Sequence, residues 1–160
     1  MILTAVRSGE ALNARWEEID LESRTWTIPS ERMKAKREHR VPLSDQAVVL
    51  LENLPRIEGN PYLFPGQKRG RPLSNMALLK TMRDMGFGPD GTRGPYVPHG
   101  FRSSFRDWAA ETTPFARDVV EMALAHVISN KTEAAYRRGD LFEKRRDLMQ
   151  AWAHYLLPPP

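Results

Sequence analysis

A mainly helical α+β fold, with helices packed around one small antiparallel hairpin, is what this sequence predicts. Three observations point there. Thr25, Trp26, Thr27 and Ile28 alternate with the period of a strand. Several segments instead repeat apolar residues at helical spacing, as do Phe101, Phe105, Trp108 and Ala109. Gly, Pro and Ser occur in clusters that separate these segments, the densest being GFGPDGTRGPYVP. With 160 residues, 41% of them hydrophobic, the chain can bury one core, and its length predicts a single domain.

Taken in order, residues 8–15 read as a short helix and 19–21 lead into the strand at 25–28. Residues 32–37 form the turn, and 40–43 return as the second strand, at a sheet edge because Pro42 has no N–H for a ladder. Ser44 is a good N-cap for a helix reaching 54. A further helix spans 74–85 and stops at Gly86, a residue type suited to the left-handed position after a helix. The loop 86–98 delivers the chain to His99 and a helix over 100–111. Thr113-Pro114 has the form of an N-cap followed by proline at the first helical position, opening a helix that ends near His126. A short helix is then expected to hold Tyr136. Asp140 and Glu143 have capping-box spacing before a last helix with the apolar stripe Leu141, Phe142, Leu148, Met149, Trp152, Tyr155 and Leu156.

Composition removes several function classes. The chain has no cysteine, which excludes disulfides and thiolate metal sites and suits a reducing cytoplasm. Apolar runs such as AVVLLENL are too short to span a bilayer, so a soluble protein without a membrane partner is expected. The formal charge is +4, concentrated in four clusters: Arg32 with Lys34, Lys36, Arg37 and Arg40; Lys68 with Arg69 and Arg71; Arg137 with Arg138; and Lys144 with Arg145 and Arg146. Such clusters attract phosphate backbones, although each also reads as a solvated face.

His99 and Arg102, three apart at a helix start, project from one face toward a common ligand, and the helix terminus favours an anion there. Alone, that pair is a weak signal. Its company is stronger: Arg7 in TAVRSGEAL, Lys34 in ERMKAKREHRVPLS, His99 and Arg102 in PHGFRSSFRDWA, His126 in LAHV and Tyr136 in AAYRR. In this order and at these spacings the chain resembles the tyrosine recombinases of the phage integrase family along its whole length. The likeness is strongest to integrases of satellite prophages and genomic islands, in which the histidine likewise precedes the tyrosine by ten residues.

That resemblance implies the recombinase catalytic-domain fold, helices around a hairpin or three-stranded sheet, over residues 1–160. Amino-terminal DNA-binding domains are expected to be absent, and residues 140–160 are expected as a carboxy-terminal helix and tail, packed on their own domain or exchanged between protomers. The family usually has glycine where Ala5 stands, a change expected to be harmless in a turn leading into a helix.

The implied reaction is DNA breaking and rejoining through a 3′-phosphotyrosyl intermediate, for integration or excision of a mobile element in the bacterial cytoplasm, at the nucleoid. Tyr136 would be the nucleophile. Arg7 and Arg102 would neutralise the phosphate oxygens, a task suited to permanently charged planar donors. By analogy His99 would take the tyrosine proton or hold the phosphate, Lys34 would protonate the 5′ leaving oxygen, and His126 would donate to a phosphate oxygen. Lys36 and Arg37 rival Lys34 on the same turn and, with Arg137 and Arg138, are DNA-contact candidates. Glu10 either orients Arg7 or forms an ordinary helix pair with it. Tyr62, Tyr96 and Tyr155 are competing tyrosines, the last read as core, while His39 and His154 are left as surface or packing residues.

Neither ATP, metal nor another cofactor is required, because the covalent bond conserves the energy of the broken one. The implied partners are double-stranded DNA at attachment sites and further copies, four around two sites, with the chain by itself a monomer. A type IB topoisomerase and a DNA-binding or assembly module without activity remain as alternatives.

Overall fold

The computed structural model describes residues 1–88, 91, 93–126 and 139–158. Three short strands, β1 (Ile19–Asp20), β2 (Thr25–Ile28) and β3 (His39–Pro42), form an antiparallel sheet in that order. Trp26 stands opposite Val41 and Ile28 opposite His39. The alternation in β2 sends Trp26 and Ile28 into the core and leaves Thr27 half-buried. Pro42 lies on the edge strand β3, where a missing donor is tolerated.

Six α-helices surround the sheet among the described residues: α1 (Ser8–Leu12), α2 (Asp45–Glu52), α3 (Ala77–Asp84), α4 (Gly100–Thr112), α5 (Arg117–Ala123) and α6 (Phe142–Leu156). Ser44 caps α2 as the sequence predicts, its side chain accepting from the Ala47 N–H at 3.3 Å. Helix α3 begins three residues later than expected, because Ser74 closes a turn onto the Met76 and Ala77 amides before the helix starts. Gly86 takes the left-handed position after it, at φ 85°.

Two predicted helix starts are corrected. Thr113 does not open α5: its hydroxyl donates to the Ala109 carbonyl at 2.6 Å, tying it to the end of α4, and α5 begins only after Ala116. Asp140 does not cap α6 either. Leu141 occupies the N-cap position in a left-handed conformation, and the Asp140 carboxylate accepts instead from Arg40 and Arg145. Arg145 is fully buried and also donates to the Asp140 and Arg40 carbonyls, at 2.8 and 2.6 Å, so the start of α6 is fastened to β3.

The apolar residues separate into two cores. One gathers Val6, Trp26, Ile28, Met33, Val41 and Leu51 around the sheet, α1 and α2. The other packs Phe105 and Ala109 of α4 with Val119 and Val120 of α5 and with Leu148 and Trp152 of α6. Tyr155 is no part of that core. It is 62% exposed and lies tilted beside Trp108 and stacked beside Trp152, with ring centroids 5.5 and 5.6 Å away. Ala5 belongs to the second core and Val6 to the first, so the chain passes between the two immediately before Arg7. The first arginine therefore emerges at the seam.

Candidate active site

Arg102 sits in the first turn of α4, three residues before the fully buried Phe105, and that inward face makes it buried too, at 6% exposure. A buried guanidinium needs acceptors. It finds the Ala5 carbonyl with Nη1 and the Leu124 carbonyl, 2.7 Å away, with Nη2. Both acceptors adjoin left-handed residues: Ala5 itself has φ 50°, and Ala125, after Leu124, also has φ 50°. Burial lowers the pKa of Arg102 from its ordinary value, Arg7 lowers it further, and Glu10 opposes both. The two arginines and Glu10 thus share one electrostatic neighbourhood.

Arg7 is the residue before α1 and is half-exposed. Glu10, buried on the first turn, accepts from the Arg7 backbone N–H at 2.7 Å and from Nη1 at 2.9 Å. One carboxylate therefore caps the helix and directs the guanidinium, so the two readings of Glu10 from sequence merge into one geometry. The expected glycine position, Ala5, does have the left-handed backbone that favours glycine, so the alanine carries a conformational cost of about 1 kcal/mol.

His126 is placed by the way α5 ends. With Ala125 left-handed, the His126 N–H bonds to the Glu121 carbonyl at 3.0 Å and the Ala125 N–H to that of Met122, also at 3.0 Å. These two bonds form a Schellman closure that folds His126 back onto its own helix. Nδ1 then meets Glu121 Oε2 at 2.5 Å, and Nε2 stands 3.5 Å from Arg102 Nη2. Glu121 also accepts from Arg106 at 2.8 Å. Burial raises the Glu121 pKa, but the bonds from His126 and Arg106 outweigh it and leave the carboxyl below its ordinary value. Glu121 and Arg106 were not legible as site residues, because positions five apart do not share a helix face without that closure.

His99 lies at the N-cap position of α4 with its side chain exposed, and its carbonyl accepts from the Arg102 amide at 3.1 Å. Lys34, Lys36 and Arg37 are all exposed on the turn between β2 and β3, with Lys36 left-handed at φ 53°. Tyr136, Arg137 and Arg138, with the short helix expected around them, lie outside the described residues. The structure thus brings together Arg7, Glu10, Arg102 and His126, and puts Lys34 and His99 at exposed positions. Of the rival tyrosines, Tyr62 bridges to Arg15, Tyr96 packs on Phe87 and Tyr155 on the tryptophans.

Of the two readings of His39, surface or packing, the structure favours packing: the residue is partly buried. Burial, reinforced by Arg145, pushes its pKa down to about 4, against the opposing pull of Glu10 and of the Ala123 backbone. A neutral imidazole accordingly fills the seam between Glu10 and the end of α5. His154 remains a surface residue, 2.9 Å from Gln150.

The sequence matches the Phage integrase family over residues 1–141. It is 41% identical over 154 residues to prophage integrase IntA of Escherichia coli K12, covering 95% of this chain and 36% of that protein. It is 36% identical over 170 residues to the integrase of Enterobacteria phage P4, covering 97% of this chain and 38% of that protein. The chain thus spans less than half the length of these relatives. Its fold is shared by the integrase of mycobacterium phage Brujita, with a TM-score of 0.68 at 21% identity over 93% of this chain and 47% of that one. It is also shared by XerA recombinase, with a TM-score of 0.64 at 20% identity over 99% of this chain and 56% of that one. Among the described residues no helix is long and apolar enough to cross a membrane. By its sequence match over most of its length, the chain belongs to the phage integrase family.

Proposed function

We propose that this chain carries the catalytic domain of a site-specific DNA recombinase, which breaks and rejoins double-stranded DNA through a 3′-phosphotyrosyl intermediate. The observation that carries the reading is the convergence of Arg7 and Arg102 on one framework, the first held by Glu10 and the second by the Ala5 and Leu124 carbonyls. Beyond the effect of burial, Arg7 lowers the Arg102 pKa, so the two guanidiniums repel one another. A phosphodiester between them relieves that repulsion, and the charge growing on its non-bridging oxygens relieves it further.

In the proposed step the Tyr136 oxygen attacks phosphorus, giving its proton to His99, and a bond forms between that oxygen and phosphorus. The bond from phosphorus to the 5′ oxygen breaks, and Lys34 protonates the departing oxygen. His126 steadies a phosphate oxygen. With Nδ1 directed to Glu121, that role uses the ring protonated on both nitrogens, so that Nε2 becomes a donor. Attack by a second 5′ hydroxyl reverses the step and joins new partners. Lys36, Arg37, Arg137 and Arg138 would contact the DNA around the scissile phosphate. Lambda integrase, which shares the fold at a TM-score of 0.54, is described as a tetramer on a Holliday junction. By analogy the assembly proposed here is a homotetramer on attachment-site DNA, in the bacterial cytoplasm.

The test is trapping. A nicked duplex spanning one boundary of the encoding element loses a short strand on cleavage and so accumulates the covalent intermediate. The wild-type protein should form a protein–DNA adduct that survives denaturation, and Tyr136→Phe should form none. Persistence of the adduct in Tyr136→Phe overturns the assignment of the nucleophile.

A further inference from the structure

The hairpin turn that bears Lys34 presents a physical problem. The β2–β3 ladder ends at the pair Ile28 and His39, so residues 29–38 lie outside it. Lys34 is exposed there on a long, freely rotating side chain. A general acid must stand within hydrogen-bond reach of the oxygen that it protonates, and a displacement of about 1 Å can slow a reaction a hundredfold. Strand pairing does not fix the turn, so other contacts must.

Two residues immediately before Lys34 provide them. Met33 is buried in the first core. Arg32, counted in the sequence among the phosphate-attracting cations, turns inward instead. Nη1 pairs with Glu18 Oε1, and Nη2 donates to the Glu10 carbonyl at 2.6 Å. The pair is shielded, its side chains only 19% and 6% exposed. Glu18 is itself fixed, its other oxygen accepting from the Trp26 indole at 3.0 Å and from the Arg15 amide at 3.3 Å. Glu10 is therefore shared: its carboxylate holds Arg7 and its carbonyl holds Arg32.

We infer that Arg32 and Glu18 are positioning residues for Lys34, setting where the lysine-bearing turn stands relative to Arg7. The inference rests on the proposed role of Lys34 as general acid. A guanidinium suits the task because its planar fork fixes direction as well as distance, which an apolar anchor such as Met33 does not. Since both Nη atoms are engaged within the protein, Arg32 serves the reaction through the turn and not as a phosphate ligand.

The test compares single-turnover cleavage of two nicked duplexes, one with the normal 5′ bridging oxygen at the scissile phosphate and one with sulfur there. A thiol has a pKa of about 8.5, so the sulfur leaves as thiolate without a proton from the enzyme. Lys34→Ala should be slow on oxygen and restored on sulfur. Arg32→Ala should lose about a hundredfold on oxygen and recover to within about threefold of wild type on sulfur. Arg7→Ala should stay slow on both, since sulfur does not replace charge neutralisation.

Arg32→Lys and Glu18→Gln, which keep the side-chain bulk, should show the same recovery with smaller losses, and they decide the matter if Arg32→Ala fails to melt cooperatively. Equal slowing of the Arg32 and Glu18 variants on both substrates, or no slowing on oxygen, overturns the inference and leaves an ordinary structural ion pair. If Lys34→Ala is not restored by sulfur, the reading of Lys34 as the acid fails, and the inference falls with it. A wild-type protein inert on both substrates overturns the catalytic reading as well.

Discussion

The surroundings of Arg102 and the turn carrying Lys34 solve opposite problems. Arg102 is a charge placed inside the protein, and two main-chain carbonyls hold it, with the His126 ring beside them. Lys34 is a charge left outside, on a turn rooted by the ion pair and the buried methionine that precede it. The contrast teaches that stability and chemistry are coupled at the first position and separable at the second. A residue whose donors satisfy buried carbonyls cannot be removed without leaving those acceptors unpaired. An exposed lysine can.

The largest expected effect tests that coupling. Arg102→Ala should lose the covalent adduct and about 3 kcal/mol of stability, because it strands two buried acceptors. Lys34→Ala should stay within about 0.5 kcal/mol of wild type. Its cleavage rate should nevertheless fall by about two to four orders of magnitude. Urea unfolding and adduct formation, measured on the same samples, check both. An Arg102→Ala protein as stable as wild type would break the comparison.

A smaller effect lies at the seam, in His39. Its pKa is lowered from 6.5 to about 4 on folding, so between those values the unfolded chain binds a proton that the native chain does not. Its contribution is complete above pH 6.5 and is lost as pH falls toward 4. The loss should reach roughly 2 kcal/mol by pH 4, allowing for partial exposure of the ring. Urea midpoints at pH 7 and pH 4.5 should differ in the wild type, and His39→Gln should narrow that difference.

The smallest effect sharpens the account of the Arg102 side. Ala125 adopts the left-handed backbone that folds His126 toward Glu121. Ala125→Gly should therefore raise stability by about 0.5 kcal/mol, with strain relieved against a partly buried methyl lost. Adduct formation should be unchanged, since glycine preserves the closure. A marked loss of activity would show that the methyl group itself positions the histidine.

Much of this was legible in the sequence wherever short-range chemistry decides the outcome. The alternation in β2, the Ser44 cap and Gly86 were each read from neighbouring residues and hold in the structure. The errors arose where a side chain had a stronger distant partner. Asp140 has the spacing of a cap but accepts from Arg40, a hundred positions away in the chain, and from Arg145. Thr113 has the form of an opening cap but closes the preceding helix. Arg32 reads as one more solvated cation until Glu18 and Glu10 are found beside it. His39 likewise gains its significance only from Glu10, Arg145 and the end of α5.

The sequence by itself determined the kinds of group available: two arginines, a lysine, histidines and a tyrosine in a telling order, on a basic chain of mainly helical pattern. Residue type and local period are properties of the chain, so they survive without a fold. Only the tertiary structure decided that Arg102 is buried, which carbonyls hold it, and that Glu10 directs Arg7 and Glu121 directs His126. These outcomes depend on contacts between residues far apart in sequence, as between Arg102 and Ala5, and no local pattern encodes such a contact.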